Sequence, residues 1–299
     1  AINGNYNHNK AQSSGGANHV QKRLINTTIN GNYNNNTADY GGANCFFELI
    51  NVAINGNYNH NKAQSSGGAN YVQNRLINTT INGNYNNNTA RYGGANSISS
   101  RLINTTINGN YTLNTAQQGS GGANRFYGLI NVTINGNYNY NTAQQNGGAN
   151  FFISTLTNVN IIGNYNHNTA NGTNDNYDSS VYYCAGGGAN YFDSTLINVN
   201  ITGDYAGNIA GTSGGANLFR MEIANVTIEG NYTQNTANGN KYYVIEGHDY
   251  YDGGGANYFQ NTLNNIIING NYTNNTAQAY GGAKVISRSE ERVSRNAET

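Results

Sequence analysis

The sequence predicts an all-β protein, a parallel β-helix (β-solenoid) of about ten coils. One phrase recurs ten times along the 299 residues, mostly at steps of 25 to 27, and a Gly-Gly pair follows in every copy. β-Branched residues, Asn, Gly and Tyr dominate each copy, and the chain contains no Pro. A helical repeat requires apolar residues at 3.6-residue spacing and strong helix formers, whereas these residues favour strands and turns. Repeats of this length are typical of solenoids.

Each copy has the same internal order. Ile is followed two residues later by Gly and four residues later by Tyr; this Tyr is followed three residues later by Asn and five residues later by Ala. The tyrosines stand at positions 6, 33, 58, 85, 111, 138, 165, 205, 232 and 272, so that two steps are 40 residues long. A period this constant indicates that each coil is the template for the next.

The side chains of one copy suggest where each residue points. Alternation places Thr27 and Ile29 on the inward face of a strand. Gly41–Gly42 provide a tight corner, and Ala43 is small enough for a crowded interior. Equivalent residues stack about 4.8 Å apart, so ten coils form a rod about 48 Å long. Such stacking predicts a structural ladder of like side chains, in which the Asn side chain also bonds the backbone at a corner. The ladder residues are Tyr33, Asn36 and Ala38, together with Tyr85, Asn88 and Ala90 two coils further along.

Composition and charge narrow the possible partners. Only 9% of residues are charged and the formal net charge is zero, so we expect no binding to nucleic acid or to an anionic membrane surface. No apolar run is long enough for a membrane-spanning helix. We predict no cofactor. Regularly placed aliphatic and aromatic residues predict a packed core instead of disorder.

The repeat resembles those of known surface proteins. The motif Y-x-x-N-x-A followed by G-G-A-N is similar to the F-x-x-N and G-G-A-I repeats of chlamydial polymorphic outer-membrane proteins. The longer phrase GGANYFQNTLNNIIINGNYTNNTA at 254–277 is even more similar to adhesin-like surface proteins of methanogenic archaea. The resemblance covers residues 1–283. It implies a right-handed parallel β-helix in the cell envelope or extracellular space, serving adhesion or envelope structure, and it carries over no catalytic residues.

Two copies carry insertions between the Ala and the Gly-Gly, at about 171–186 and 238–253. Both occupy the same place in the repeat, so both should project from the same corner, two coils or about 10 Å apart. Insertions on one face of a solenoid often form its binding face, and Tyr-rich loops give rigid contacts. A structural flap or a subunit contact is the alternative. The candidate binding residues are Tyr177, Asp178, Tyr182, Tyr183, Tyr242, Tyr243, Glu246, His248, Asp249, Tyr250, Tyr251 and Asp252.

Catalysis and metal binding have weaker support in the sequence. Cleavage of a polysaccharide requires two carboxyl groups close to one bond. The acids of the regular coils are scattered, and no loop has the dense Asp spacing of a calcium site. We therefore predict no catalytic residues and no metal site. The acids within the insertions keep a polysaccharide-active enzyme as a third hypothesis.

The cysteines and the histidines have simple predicted roles. Cys45 and Cys184 fall on coils about 24 Å apart, beyond the reach of a disulfide, which leaves an intermolecular bridge open. His8, His60 and His167 occupy the same repeat position and are predicted to lie on solvated surface.

The two ends of the sequence differ in character. The first copy starts at Ile2, and we expect an open strand edge there, which favours stacking. Residues 284–299 hold seven of the 28 charged residues and are predicted to be a cap, a partner-binding tail or a disordered segment.

The leading functional hypothesis is a structural protein whose copies associate with one another. Residues 1–44 and 53–96 differ at three positions, which indicates a recent duplication and favours selection for length. The expected product is a homo-polymer: a filament, a sheath or an envelope layer. The second hypothesis is an adhesin that binds glycan or another surface protein through the two insertions.

Overall fold

The computed structural model describes residues 1–172, 185–240, 242–245 and 248–286, with the backbone alone for 242–245 and 248–251. Over these residues the protein is all-β, and ten coils stack with parallel strands as a β-solenoid. The fold predicted from the repeat is confirmed.

The strands are short, and their bounds recur from coil to coil. In chain order they are β1 (Ile2–Asn7), β2 (Asn18–Ile25), β3 (Thr28–Asn34), β4 (Thr37–Tyr40), β5 (Asn44–Ile50), β6 (Ala53–Asn59), β7 (Lys62–Ser66), β8 (Asn70–Val72), β9 (Leu76–Ile77), β10 (Thr80–Asn86), β11 (Thr89–Ala90), β12 (Asn96–Ile98), β13 (Leu102–Ile103), β14 (Thr106–Thr112), β15 (Thr115–Ala116), β16 (Asn124–Phe126), β17 (Leu129–Asn139), β18 (Thr142–Ala143), β19 (Asn150–Ile153), β20 (Leu156–Asn166), β21 (Thr169–Ala170), β22 (Asn190–Asp193), β23 (Leu196–Ala206), β24 (Ile209–Ala210), β25 (Asn217–Phe219), β26 (Ile223–Thr233), β27 (Thr236–Ala237), β28 (Tyr242–Ile245), β29 (His248–Tyr251), β30 (Asn257–Phe259), β31 (Leu263–Thr273), β32 (Thr276–Ala277) and β33 (Lys284–Ile286).

One coil consists of three kinds of strand. In the sixth coil these are the long strand β17, which carries the repeat Tyr, the two-residue strand β18 and the strand β19, which follows the Gly-Gly corner. Long strands and post-glycine strands belong to a 22-stranded sheet, and the short strands form a nine-stranded sheet. Strands of the coils pair in register with their counterparts in the next coil, so that Leu129 lies opposite Leu156 and Tyr138 opposite Tyr165. Local register shifts occur in the β2–β5 and β4–β7 pairs. Lys284–Ile286 continue this stack by pairing with Asn257–Phe259.

Residues in the left-handed conformation bend the chain at fixed places. Within the sixth coil these are Asn131 (φ 54°), Tyr140 (φ 55°) and Gly147 (φ 64°). Asn tolerates this conformation better than most side chains do, and Asn occupies the first of these positions in every coil that contains it. The second glycine of the corner is required for another reason. A β-carbon at Gly148 would lie 2.1 Å from the carbonyl oxygen of Gly188 in the next coil.

The interior is built from stacked copies of the same side chain. Ten tyrosines, from Tyr6 to Tyr272, stack with ring centroids 4.7 to 4.9 Å apart and planes within 5° of parallel. A shorter stack of Phe residues, from Phe152 to Phe259, has the same spacing. The predicted ladder is present, since Tyr33, Asn36, Ala38, Tyr85, Asn88 and Ala90 are all at most 1% exposed.

The tyrosine hydroxyls are desolvated. Burial, together with the neighbouring Tyr6, raises the pKa of Tyr33 to about 12. Further along the stack the Tyr138 hydroxyl has no hydrogen-bond partner. Its polar neighbours are the amides of Asn124 and Asn150, which bond to each other at 3.0 Å. The ring, and not the hydroxyl, therefore stabilises this part of the core.

We predict that Tyr138→Phe changes the free energy of unfolding by less than about 1 kcal/mol, because it removes a buried hydroxyl that forms no bond. Tyr138→Ala is expected to lower the free energy of unfolding by about 3–5 kcal/mol, because it opens a cavity in the stack. Denaturant unfolding measures both changes, and Tyr6→Ala in the partly exposed first coil is the matched control with a smaller loss. A cost for Tyr138→Phe as large as that for Tyr138→Ala would contradict this view of the core.

Candidate interaction surfaces

Two buried ladders of Asn side chains connect the coils from inside. The first contains the Asn that follows each left-handed corner. Asn141 donates from its side-chain amide to Oδ1 of Asn168 in the next coil (2.9 Å) and to the carbonyl oxygen of Tyr111 in the preceding coil (2.9 Å). The backbone N–H of Asn141 donates to the same Asn168 oxygen. The amide oxygen of Asn141 accepts two bonds from Asn114. Every polar atom of this side chain is therefore paired within the protein.

The second buried ladder follows the Gly-Gly-Ala corner and runs from Asn18 to Asn257. Each side-chain amide donates to the amide oxygen of the next coil at 2.8 to 3.0 Å. Lys284 occupies the next position, and its Nζ lies 4.9 Å from the centre of the Tyr272 ring. A cation–π contact thus replaces the amide at the last coil.

The outer face of the long strands has a groove that the sequence reasoning did not single out. We call it the amide groove, and it is a shallow depression along the first six coils. Its walls are two columns of Asn, and its floor is the column of Gly between them. The first wall contains Asn3, Asn30, Asn55, Asn82, Asn108 and Asn135, the floor Gly4, Gly31, Gly56, Gly83, Gly109 and Gly136, and the second wall Asn5, Asn32, Asn57, Asn84, Asn110 and Asn137.

The tyrosine stack fixes glycine on the floor of this groove. A β-carbon at Gly109 would lie 2.9 Å from the ring of Tyr111 and 2.8 Å from the carbonyl oxygen of Gly83. Because the ring and the neighbouring coil fill that space, no larger residue fits there. The core therefore determines that the floor consists of backbone alone.

The groove walls are themselves ladders. Within each wall a side-chain amide donates to the amide oxygen of the preceding coil at 2.7 to 2.9 Å, from Asn30 to Asn108 in the first wall and from Asn32 to Asn137 in the second. An Asn inside such a ladder uses one N–H and one lone pair, so its second N–H and second lone pair remain available to solvent. Beyond the sixth coil the walls change, because Ile162, Thr202 and Glu229 continue the first column and Asp204 interrupts the second.

The two insertions contain all of the predicted binding residues. Tyr177, Asp178, Tyr182, Tyr183 and Glu246 lie outside the described residues. The second insertion forms a two-stranded antiparallel hairpin in which Tyr242 pairs with Tyr251, Tyr243 with Tyr250, Val244 with Asp249 and Ile245 with His248.

Asp252 departs from the prediction. It was expected on the binding face, but it is 1% exposed and accepts a hydrogen bond from the Ser213 hydroxyl. The physical reason is its position directly before the Gly253–Gly254 corner, where the chain has already rejoined the coil.

A second apolar cluster lies outside the main core, on the two coils that carry the insertions and the coil between them. Tyr191, Leu218 and Tyr258 occupy the outward position after Gly-Gly-Ala-Asn, yet each is at most 1% exposed, and Phe151 and Val285 pack against them. At the end of the first insertion Gly186 lies against Leu218, since a β-carbon there would be 3.0 Å from its methyl group. The last residue of the first insertion therefore contacts this apolar cluster.

Charged side chains pair between coils. Glu48 is fully buried between Arg23 and Arg75, the latter at 2.8 Å, and these three residues belong to successive coils. Burial opposes the ionisation of Glu48, but the hydrogen bonds from Arg75 and Arg23 outweigh it, so the pKa of the carboxyl is lowered. Arg220 similarly pairs with Asp193 at 2.7 Å.

Cysteine and histidine residues form no reactive centre among the residues the structure describes. Cys45 is 5% exposed, and burial raises the pKa of its thiol, which disfavours a bridge to a second molecule; Cys184 lies outside those residues. His8, His60 and His167 are exposed, as predicted, and each adopts the left-handed conformation of its corner. No group of three His, Cys, Asp or Glu side chains in the described ranges is arranged to hold a metal ion.

Two further observations bear on function. The described chain contains no helix long and apolar enough to cross a membrane. Comparison with protein-family models, curated proteins and solved structures finds no match to this sequence or fold.

The ion pairs of Glu48 predict a pH dependence. Because the folded-state pKa is lowered, the pairs stabilise the protein above the unfolded pKa of Glu, about 4.3, and this contribution is lost as the pH falls through the folded pKa. We expect Glu48→Gln to lower the free energy of unfolding at neutral pH by about 1–2 kcal/mol, since both arginines are partly exposed.

Denaturant unfolding across the acid range measures this effect. The difference between wild type and Glu48→Gln should disappear at the acid end, whereas the exposed Glu222→Gln control should change stability by less than about 0.5 kcal/mol at neutral pH. A difference between wild type and Glu48→Gln that stays constant with pH would show that the ion pairs do not stabilise the fold.

Proposed function

We propose that this protein is a structural component of a cell-surface or extracellular assembly, and that its copies associate by continuing the coil stack end to end. The observation that carries the proposal is the in-register pairing of each coil with the next, which a coil of a second copy can continue. Ile2 and Tyr6 at one end, and Ile268 and Tyr272 at the other, pack against the core on one side and are partly exposed on the other. Their equivalents in the middle coils, such as Ile134 and Tyr138, are fully buried. A second copy stacked on either end would bury the same apolar surface.

The buried Asn ladder makes the two ends complementary. Among the described residues no hydrogen bond reaches the amide oxygen of Asn9, which in later coils accepts two. At the other end Asn275 donates to the carbonyl oxygen of Tyr232, and no described atom accepts its second N–H. One end offers an acceptor and the other a donor. A head-to-tail joint of this kind does not close on itself and so builds a filament.

The sequence supports the same proposal. The near-identity of residues 1–44 and 53–96 is typical of growth by duplication, which lengthens a rod without creating a unique pocket. The resemblance of the repeat to surface proteins supports a location outside the cell.

We predict that the purified full chain forms oligomers or filaments at neutral pH, seen by sedimentation velocity and electron microscopy. Tyr6→Glu places a charge in the end face and is expected to shift the protein to monomers, because a buried, unpaired charge is costly. Asn137→Asp adds a charge on the side of the rod and should leave assembly unchanged. A wild-type protein that remains monomeric at high concentration would contradict the proposal.

A second candidate function is adhesion through the insertions. Two observations favour it: strands β28 and β29 of the second insertion pair with each other, and the apolar cluster of Tyr191, Leu218 and Tyr258 lies outside the main core. Loss of binding to glycan or to a surface protein on deletion of both insertions, with the coils intact by circular dichroism, would favour this function.

A further inference from the structure

We propose that the amide groove of the first six coils binds a neutral, linear polysaccharide laid along the axis of the rod. This site lies on the outer face of the long strands, on coils other than those that carry the insertions, and not on the stacking face of an end coil. The proposal therefore does not depend on self-association.

The hydrogen-bonding capacity of the groove matches hydroxyl groups. Each Asn inside a wall ladder, such as Asn57 or Asn84, retains one N–H and one lone pair facing solvent. A sugar hydroxyl donates and accepts at once, so it can pair with both. The ladder bonds hold each amide in one orientation before the ligand arrives, which lowers the entropic cost of binding.

The electrostatics of the groove favour an uncharged ligand. Only Asn and Gly line it along the first six coils. An anionic polymer would find no Lys or Arg to pair with its carboxylates or sulfates, and a cationic polymer would find no acid. In the later coils Asp204 and Glu229 line the corresponding surface, so the neutral track is confined to the first six coils.

The shape of the groove favours an extended, periodic ligand. Ring centroids of successive tyrosines beneath the floor are 4.8 Å apart. The Asn and Gly residues of the groove belong to the same coils and therefore repeat at the same spacing. Because the floor is glycine backbone, a flat ring can approach it closely. The repeat tyrosines point inward and do not stack on the ligand, so each coil contributes weakly and affinity grows with the number of coils engaged.

The test measures binding of the full-length protein to cellohexaose, mannohexaose and xylohexaose by isothermal titration calorimetry, with polygalacturonate as the charged comparison. We expect at least one of the neutral oligosaccharides to bind and polygalacturonate not to. Asn57→Ala with Asn84→Ala removes two laddered amides from the groove and should weaken binding by about tenfold or more.

The matched control is Asn231→Ala with Asn271→Ala. These residues form the same ladder bond, at 2.9 Å, in the same column but beyond the groove. This pair should leave binding within about twofold of wild type, and both double variants should keep the wild-type melting temperature.

Three results would overturn the proposal. The first is that none of the neutral oligosaccharides binds. The second is that polygalacturonate binds as tightly as the neutral probes or that both double variants lose binding equally. The third is that Asn57→Ala with Asn84→Ala abolishes association between copies without any effect on a glycan, which would make the groove an interface between protein chains.

Discussion

The whole structure depends on in-register stacking of each coil on the next, one strand spacing apart. Every side chain must tolerate a copy of its own position about 4.8 Å away on each side. Tyr, Phe, Ile and Asn satisfy this condition, because rings stack and amides both donate and accept. Like charges do not, which explains why only 9% of residues are charged. In one column Glu48 lies between Arg23 and Arg75 and pairs with both, and Arg101, which follows Arg75 in that column, is exposed to solvent as Arg75 is.

The same stacking constraint also determines which residues form the outer surface. In the first six coils the tyrosine stack occupies the space beside each repeat glycine, so that no side chain fits there. The outward residues on either side of this glycine are Asn, whose amides bond along the axis in the direction opposite to the buried ladders. A groove of constant chemistry is therefore a direct result of how the interior packs. The buried ladders hold the coils together, and the exposed ladders hold the groove walls in place.

Much of this architecture could be predicted from the sequence, because the repeat itself encodes it. The spacing of Ile, Gly, Tyr and Asn was sufficient to predict the coils, the ladders and the Gly-Gly corners. The burial of Glu48 was not predictable, since it depends on arginines 25 and 27 residues away whose alignment follows from the register. The amide groove was also missed. The predicted ladder contained the Asn three residues after each Tyr and not the two Asn that flank the Gly, and that Gly was interpreted only as part of the motif. Asp252 was misplaced because an insertion boundary read from the sequence does not show where the chain rejoins the coil.

The most direct test of the stacking account is a double-mutant cycle between Asn141 and Asn168, which bond across adjacent coils. The free energies of unfolding of the two single Ala variants and the double variant give their coupling energy. The account predicts a coupling of about 1–3 kcal/mol for this pair and close to zero for Asn141 with Asn235, three coils away. Additive effects for Asn141 and Asn168 would contradict the claim that these ladders hold the coils in register.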